Sequence, residues 1–295
     1  MIYCVTFNPS FDLVFSLDSG CDQGETYNQI PWEGRAGGKG NNVARAIKQL
    51  GGPATAVGFY GGAMGAMIQQ LLTEQHIGCL AESVSGSSRV CLTLLTGEIT
   101  EIRGLGPNVS TEISRVLLQR LRTQLKPSDW ITLSGSLPPG LSADDVTEWI
   151  TTLRPYCQGI IADLSGANLV AAYKAGVDAI CPNLLEYQQL PNNFMMSRLS
   201  HIFITQGPEG VLWYPPSPTP PQRIFAPVVP IKNPVGAGDV FVGALAYSLW
   251  QGQEWNEALV RSVAAASASV VTKGVGDIDV SLFKELIPRV HLGEP

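Results

Sequence analysis

At 295 residues, 45% hydrophobic and only 15% charged, the chain has the apolar mass for a large core and too little charge for disorder. Twenty-five acidic against 19 basic residues leave a net charge of −6, and no basic run supplies the footprint that nucleic-acid binding needs. The six cysteines form no Cys-x-x-Cys pair, the three histidines lack zinc-site spacing, and no uncharged apolar run reaches the ~18 residues that span a bilayer. The opening MIYCVTFNPS shows no signal-peptide pattern, so a soluble, cytoplasmic protein engaging neither nucleic acid nor membrane is expected.

Ile2 to Phe7 is rich in β-branched and aromatic residues and stops at Asn8-Pro9, which predicts a strand. From Asn41 the apolar positions Val43, Ile47 and Leu50 follow helical spacing until Gly51-Gly52-Pro53 ends the helix. Ala54 to Tyr60 reads as a buried strand and about Gly65 to Gln75 as a helix. Helices are then expected at Thr111 to Gln124 and Ala143 to Leu153, among strands at Trp130 to Leu133, Ile160 to Asp163, Ala179 to Cys181 and His201 to Thr205. Strands spaced by helices pair in parallel with helices over both faces, so the expected fold class is α/β, a doubly wound and mostly parallel sheet.

Two segments break the alternation, Leu13 to Trp32 and Arg89 to Arg103. In the second, Val90 to Leu95 and Glu98 to Ile102 flank Thr96-Gly97 as a hairpin. These pieces predict a small sheet, drawn from about 12–34 and 88–104, that projects from a single domain spanning 1–295. Such a sheet would act as a lid or as an edge through which two copies pair, and a plain surface hairpin is the alternative. The run Tyr214 to Gln222, rich in proline, lies between strand-like Val211 to Tyr214 and Arg223 to Val228 and reads as a stiff surface loop rather than a polyproline ligand.

The most informative segment is Asn233-Pro-Val-Gly-Ala-Gly-Asp-Val-Phe241, whose small residues open a helix with Phe241, Ala244, Leu245 and Leu249 on one face. Backbone N–H groups at Gly236, Ala237 and Gly238 can approach a ligand closely, and a helix N-terminus suits a phosphoryl group. Asp239, in the first turn, is either an acid complementing the helix dipole or a general base facing a reacting hydroxyl. Arg35-Ala-Gly-Gly-Lys-Gly-Asn-Asn42 is a second glycine-rich helix entry without Walker spacing. Two such entries suggest two ligands, one per loop.

With these residues in view, the chain resembles the ribokinase-like carbohydrate kinases of the PfkB type, most closely their 1-phosphofructokinase and tagatose-6-phosphate kinase branch. The resemblance runs from end to end through Thr6-Phe-Asn-Pro-Ser-Phe-Asp12, Gly37-Gly-Lys-Gly-Asn-Asn-Val-Ala-Arg45 and Ser134-Gly-Ser-Leu-Pro-Pro-Gly140. It continues in Asp163-Leu-Ser-Gly166, Pro182-Asn-Leu-Leu-Glu186, Thr205-Gln-Gly207 and Gly236-Ala-Gly-Asp239. It implies transfer of the ATP γ-phosphate to a sugar hydroxyl, with Asp239 matching the family's catalytic base and Gly236, Ala237 and Gly238 its anion hole. Asn183 and Glu186 match its magnesium-associated motif, with Mg²⁺ held through water. Thr205, Gly207 and Gly210 match the lining of the nucleotide phosphates, and Ser262 to Ala266 with Lys273 and Gly274 the surroundings of the adenine.

On the sugar side, Asp12 matches a carboxylate that accepts hydrogen bonds from sugar hydroxyls, Gly37, Gly38 and Asn42 the pocket wall, and Ser136 an added hydroxyl. Lys39 and Arg89 match cations for the phosphate already on the substrate. A homodimer through the lid strands is the expected assembly. The chain departs from the branch at Asn28, where an arginine is usual, at Cys181, where a lysine precedes Pro-Asn, at Pro234 in place of threonine, and in lacking an asparagine before Gly106-Pro107. Asn28 leaves open an unphosphorylated acceptor such as fructose, ribose or a nucleoside; for a phosphorylated acceptor, Arg35 or Arg103 would replace the missing cation. Cys181 and Pro234 leave open a protein that binds phosphosugar or nucleotide without turnover.

Overall fold

Strand β1 (Ile2–Thr6) is buried along its whole length and divides the interior in two, Ile2 and Cys4 facing one apolar cluster while Tyr3 and Val5 face the other. A strand covered on both faces belongs inside a parallel sheet. The computed structural model describes residues 1–17, 20–22, 24–96, 98–191, 194 and 200–294. In it β1 pairs in parallel with β4 (Ala54–Gly61) and with β8 (Trp130–Ser134), Ile2 lying opposite both Ala54 and Trp130. Beyond β4 stands β5 (Gly78–Val84), and beyond β8 come β9 (Gly159–Asp163), β10 (Ala179–Ile180) and β11 (His201–Thr205), all parallel. Three antiparallel strands, β12 (Val211–Tyr214), β13 (Gln222–Phe225) and β14 (His291–Gly293), extend this sheet to ten.

Helices α1 (Lys39–Gln49), α2 (Gly62–Glu74), α7 (Ala237–Trp250), α8 (Trp255–Ser269) and α9 (Val280–Leu286) cover the Ile2 face. Helices α3 (Thr111–Gln124), α4 (Ala143–Leu153) and α5 (Gly166–Lys174) cover the Tyr3 face, and the short α6 (Leu184–Gln188) follows β10. Helix α7 is apolar nearly all round and packs between α1 and α8, the pattern of a helix enclosed by protein. Among the described residues no helix is long and apolar enough to cross a membrane.

A second sheet of four strands, ordered β3-β2-β6-β7, comprises β2 (Ser10–Ser16), β3 (Trp32–Gly37), β6 (Arg89–Thr96) and β7 (Glu98–Arg103). The expected hairpin is β6–β7, joined to the earlier segment by parallel pairing of β2 with β6; Gly97 at its turn, and residues 18, 19 and 23 of the earlier segment, lie outside the described residues. The helix expected from Gly65 starts at Gly62, and of the strand expected over Arg223 to Val228 only the part to Phe225 pairs.

Candidate active site

The order of the large sheet runs outward from β1 to β5 on one side and from β8 to β11 on the other. Where such an order reverses, the loops after adjacent strands diverge and leave a crevice at the strands' carboxyl ends. A cavity of about 580 Å³ occupies that position, walled by the four-stranded sheet. Asp12 and Arg89 reach it from that sheet, Gly38, Lys39 and Asn42 from the start of α1, and Ser136 from the loop after β8. Asn183 and Glu186 follow β10, Thr205 ends β11, and Gly236, Gly238 and Asp239 open α7. The two glycine-rich helix entries therefore meet at one cavity.

Asp239 is buried and accepts a hydrogen bond from Asn42 Nδ2 at 2.7 Å. Burial pushes its carboxyl up to about 7, with Lys39 pulling down, Asp163 pushing up, and Asn42 and Arg45 pulling down. Gly236 caps the helix at φ 84°, and a Cβ there would sit 2.9 Å from Gly276 N, so both the turn and the packing require glycine. Gly238 faces open space, whereas the Ala237 N–H is turned back onto Pro234 O at 3.3 Å. Of the expected trio, Gly236 and Gly238 line this cavity and Ala237 does not.

Asp12 accepts from Ser10 Oγ at 2.5 Å, and burial raises its pKa while Ser10, Arg89 and Arg45 oppose the rise. A Cβ on Gly37 would lie 2.0 Å from Asp12 Cγ, so glycine clears the space the carboxylate occupies. Lys39 Nζ pairs with Asp163 Oδ1 at 3.1 Å, and its pKa is raised by Asp163, Asp239 and Glu186 against burial. Arg89 Nε donates to Asn8 O at 3.1 Å. Asn183 and Glu186 cap α6 reciprocally: Asn183 N donates to Glu186 Oε2 and Glu186 N to Asn183 Oδ1, both at 2.9 Å.

A second, apolar cavity of about 510 Å³ adjoins the first, sharing Thr205 and Gly238 with it. Gly207, Gly210 and Ala237 line it, together with Phe241 and, from α8, Val263 and Ala266. Lys273 and Gly274 do not reach it. They line a separate groove beside Arg35 and Trp32, because Asn233 Nδ2 holds Lys273 O at 3.0 Å and Arg35 grips the following turn. Arg35 donates to Asp277 Oδ1 at 3.0 Å, Asp277 Oδ2 at 2.8 Å, Val275 O at 3.1 Å and Glu33 Oε2 at 3.0 Å. Sequence reasoning missed this cross-link, Asp163 as the partner of Lys39, and a role for Arg45, which shares its helix face with Asn41, Asn42 and Lys48.

Three comparisons converge. The model of the "pfkB family carbohydrate kinase" matches residues 5–281. The 1-phosphofructokinase of Escherichia coli strain K12 is 32% identical over 98% of this chain and 96% of its own. The tagatose-6-phosphate kinase of Staphylococcus epidermidis is 29% identical over 100% of both. The crystal structure of Escherichia coli phosphofructokinase-2 in complex with potassium superposes with a TM-score of 0.86 at 25% identity, covering 98% of each chain.

Proposed function

Because the chain belongs to the pfkB family of carbohydrate kinases, we propose that it transfers the γ-phosphoryl group of ATP to a hydroxyl of a ketohexose phosphate. Fructose 1-phosphate is the foremost acceptor, with fructose 1,6-bisphosphate as product, and tagatose 6-phosphate the next; both choices follow from what the relatives are named for. One observation carries the mechanism: a buried carboxyl near neutrality, Asp239, shares a cavity with Asp12 and Arg89. A base with a pKa near working pH is best suited to take a proton from a hydroxyl.

In this reading Asp12 accepts hydrogen bonds from the sugar hydroxyls and Arg89 meets the acceptor's own phosphate. Arg35 does not serve there, since its guanidinium is engaged by Asp277 and Glu33. Lys39 sits among Asp163, Asp239 and Glu186, so we assign it to the transferring group rather than to the acceptor's phosphate. Phosphoryl transfer needs in-line positioning and stabilisation of charge on the migrating oxygens, which the amino end of α7 and Lys39 supply. The apolar cavity beside Val263 and Ala266 suits the adenine ring.

Mg²⁺ fits the donors on the nucleotide side. Glu186 and Asn183 offer hard oxygens, and among the described residues no three acidic, His or Cys groups gather as a full cage, so the ion would be shared with phosphates and water. When bound it would neutralise phosphate charge. We further assign the outer face of the four-stranded sheet to pairing with a second copy. By strand alternation Leu13, Leu92 and Ile102 form a row opposite the Asp12 face, with Trp32, Val90 and Ile102 exposed.

The test is ADP release with ATP and, in turn, fructose 1-phosphate, tagatose 6-phosphate and fructose. The two phosphates are expected to support turnover, and Arg89→Ala to raise their KM. Turnover of fructose alone would replace the acceptor assignment, and no ADP release with any acceptor would sink the kinase reading.

A further inference from the structure

Helix α1 carries a cation at a buried position on the wall of the polar cavity. Val43, Ala44, Ala46 and Ile47 are fully buried, and Arg45 among them is only 6% exposed. Enclosing a guanidinium is costly unless charges and hydrogen bonds offset it. Among the described residues its Nε and Nη1 have no hydrogen-bond partner, and its Nη2 donates to Asn42 Oδ1. Burial and the nearby Arg35 work against its charge, while Asp277, Asp12 and Asp239 support it. Its enclosure therefore serves the electrostatics of the cavity rather than packing.

The bond to Asn42 has a chemical consequence. An amide presents one accepting and one donating end, and an arginine can only donate. Arg45 thus requires Asn42 to turn its oxygen inward, which turns the Asn42 NH₂ onto Asp239 Oδ2 at 2.7 Å. Oδ2 already accepts that bond, whereas Oδ1 has no hydrogen-bond partner among the described residues and is the freer oxygen for a proton.

We propose that Arg45 is a positioning residue for phosphoryl transfer, acting through Asn42 to fix which oxygen of Asp239 takes the proton of the acceptor hydroxyl. The inference rests on the reading of Asp239 as the base. In the step it serves, an electron pair of the hydroxyl oxygen forms the bond to the γ-phosphorus. The bond from that phosphorus to the bridging oxygen breaks with its pair, ADP departs, and the hydroxyl proton goes to Oδ1. Other charges also bear on the base: Lys39 from α1, Asp163 from β9, and, around Arg45, Asp12 from β2, Arg35 from β3 and Asp277 ahead of α9.

A double-mutant cycle between Arg45→Lys and Asn42→Ala tests this, read as kcat and as KM for both substrates. Arg45→Lys keeps the charge but not the planar donor, so kcat should fall roughly tenfold while both KM values hold. In the Asn42→Ala background the same change should have no further effect, since the link is already cut. Arg45→Gln, which also removes the charge, should move the acidic limb of kcat/KM upward by about one pH unit. If Arg45→Gln does not fold, the cycle decides alone. Losses that multiply across the cycle, or Arg45 variants that turn over like wild type, overturn the inference while an active wild type preserves the kinase reading. A wild type without ADP release overturns that reading and the inference together.

Discussion

At Asp239 burial acts against ionisation and lifts the carboxyl to about 7, although Lys39, Asn42 and Arg45 all favour the anion. A base must be ionised, so kcat/KM should climb with pH and level off above about 7. Asp239→Asn should lower kcat by about 10²–10⁴. The same shift has a thermodynamic side. The folded carboxyl lies above its unfolded value of 3.8, so the native state holds the proton more tightly and this group's contribution to stability declines as pH rises from about 4 to 7. Asp239→Asn should therefore melt higher than wild type, by a margin that is larger at pH 8 than at pH 5. A margin that does not change with pH, followed by calorimetry, would show that the carboxylate is not destabilised by its surroundings.

Between elements, the contact that matters most is the grip of β3 on the loop before α9. Arg35 holds both oxygens of Asp277 and the carbonyl of Val275, and the next residue, Gly276, donates to Val235 O at 3.2 Å beside the Gly236 turn. The four-stranded sheet is thereby tied to the amino end of α7. Asp277→Ala should speed amide exchange in Trp32–Gly37 and raise the KM for the sugar phosphate several-fold. Ser142→Ala, which removes half of the α4 capping box outside the cavity lining, should instead cost about 1 kcal/mol with kcat unchanged. Unaltered exchange in β3 after Asp277→Ala would mean that the sheet is held by packing alone.

These elements also show what a sequence can disclose. Helices α3 and α4 were legible residue for residue, because apolar spacing and Ser110 and Ser142 at their starts agree. At the sheet's edge β12 was legible over Val211–Tyr214 and β13 in part, but β14 and the antiparallel pairing of all three were not, since an antiparallel pair and a crossover pair look alike in short apolar runs. Asp12, Lys39, Asn42 and Asp239 were legible from their motifs, whereas Arg35 meets Asp277 from 242 residues away and no local pattern encodes such a meeting.

Over the whole molecule, the sheet's reversal at β1 and β8 gathers into one cavity residues from Thr6 to Val275. The outer face of the four-stranded sheet, by contrast, presents Trp32 and Ile102 at 61% and 57% exposure, large for side chains of that kind. If that face joins two copies, sedimentation should give a dimer, and Ile102→Glu should give a monomer. A wild type that sediments as a monomer at micromolar concentration would remove the assembly from the proposal. The division of the interior itself bears on ligand chemistry. Polar and apolar cavities adjoin at Thr205 and Gly238, so one compound reaching across those two residues would fill both. With its halves tethered, the second would arrive at a high effective concentration, and the compound would hold far more tightly than either half alone.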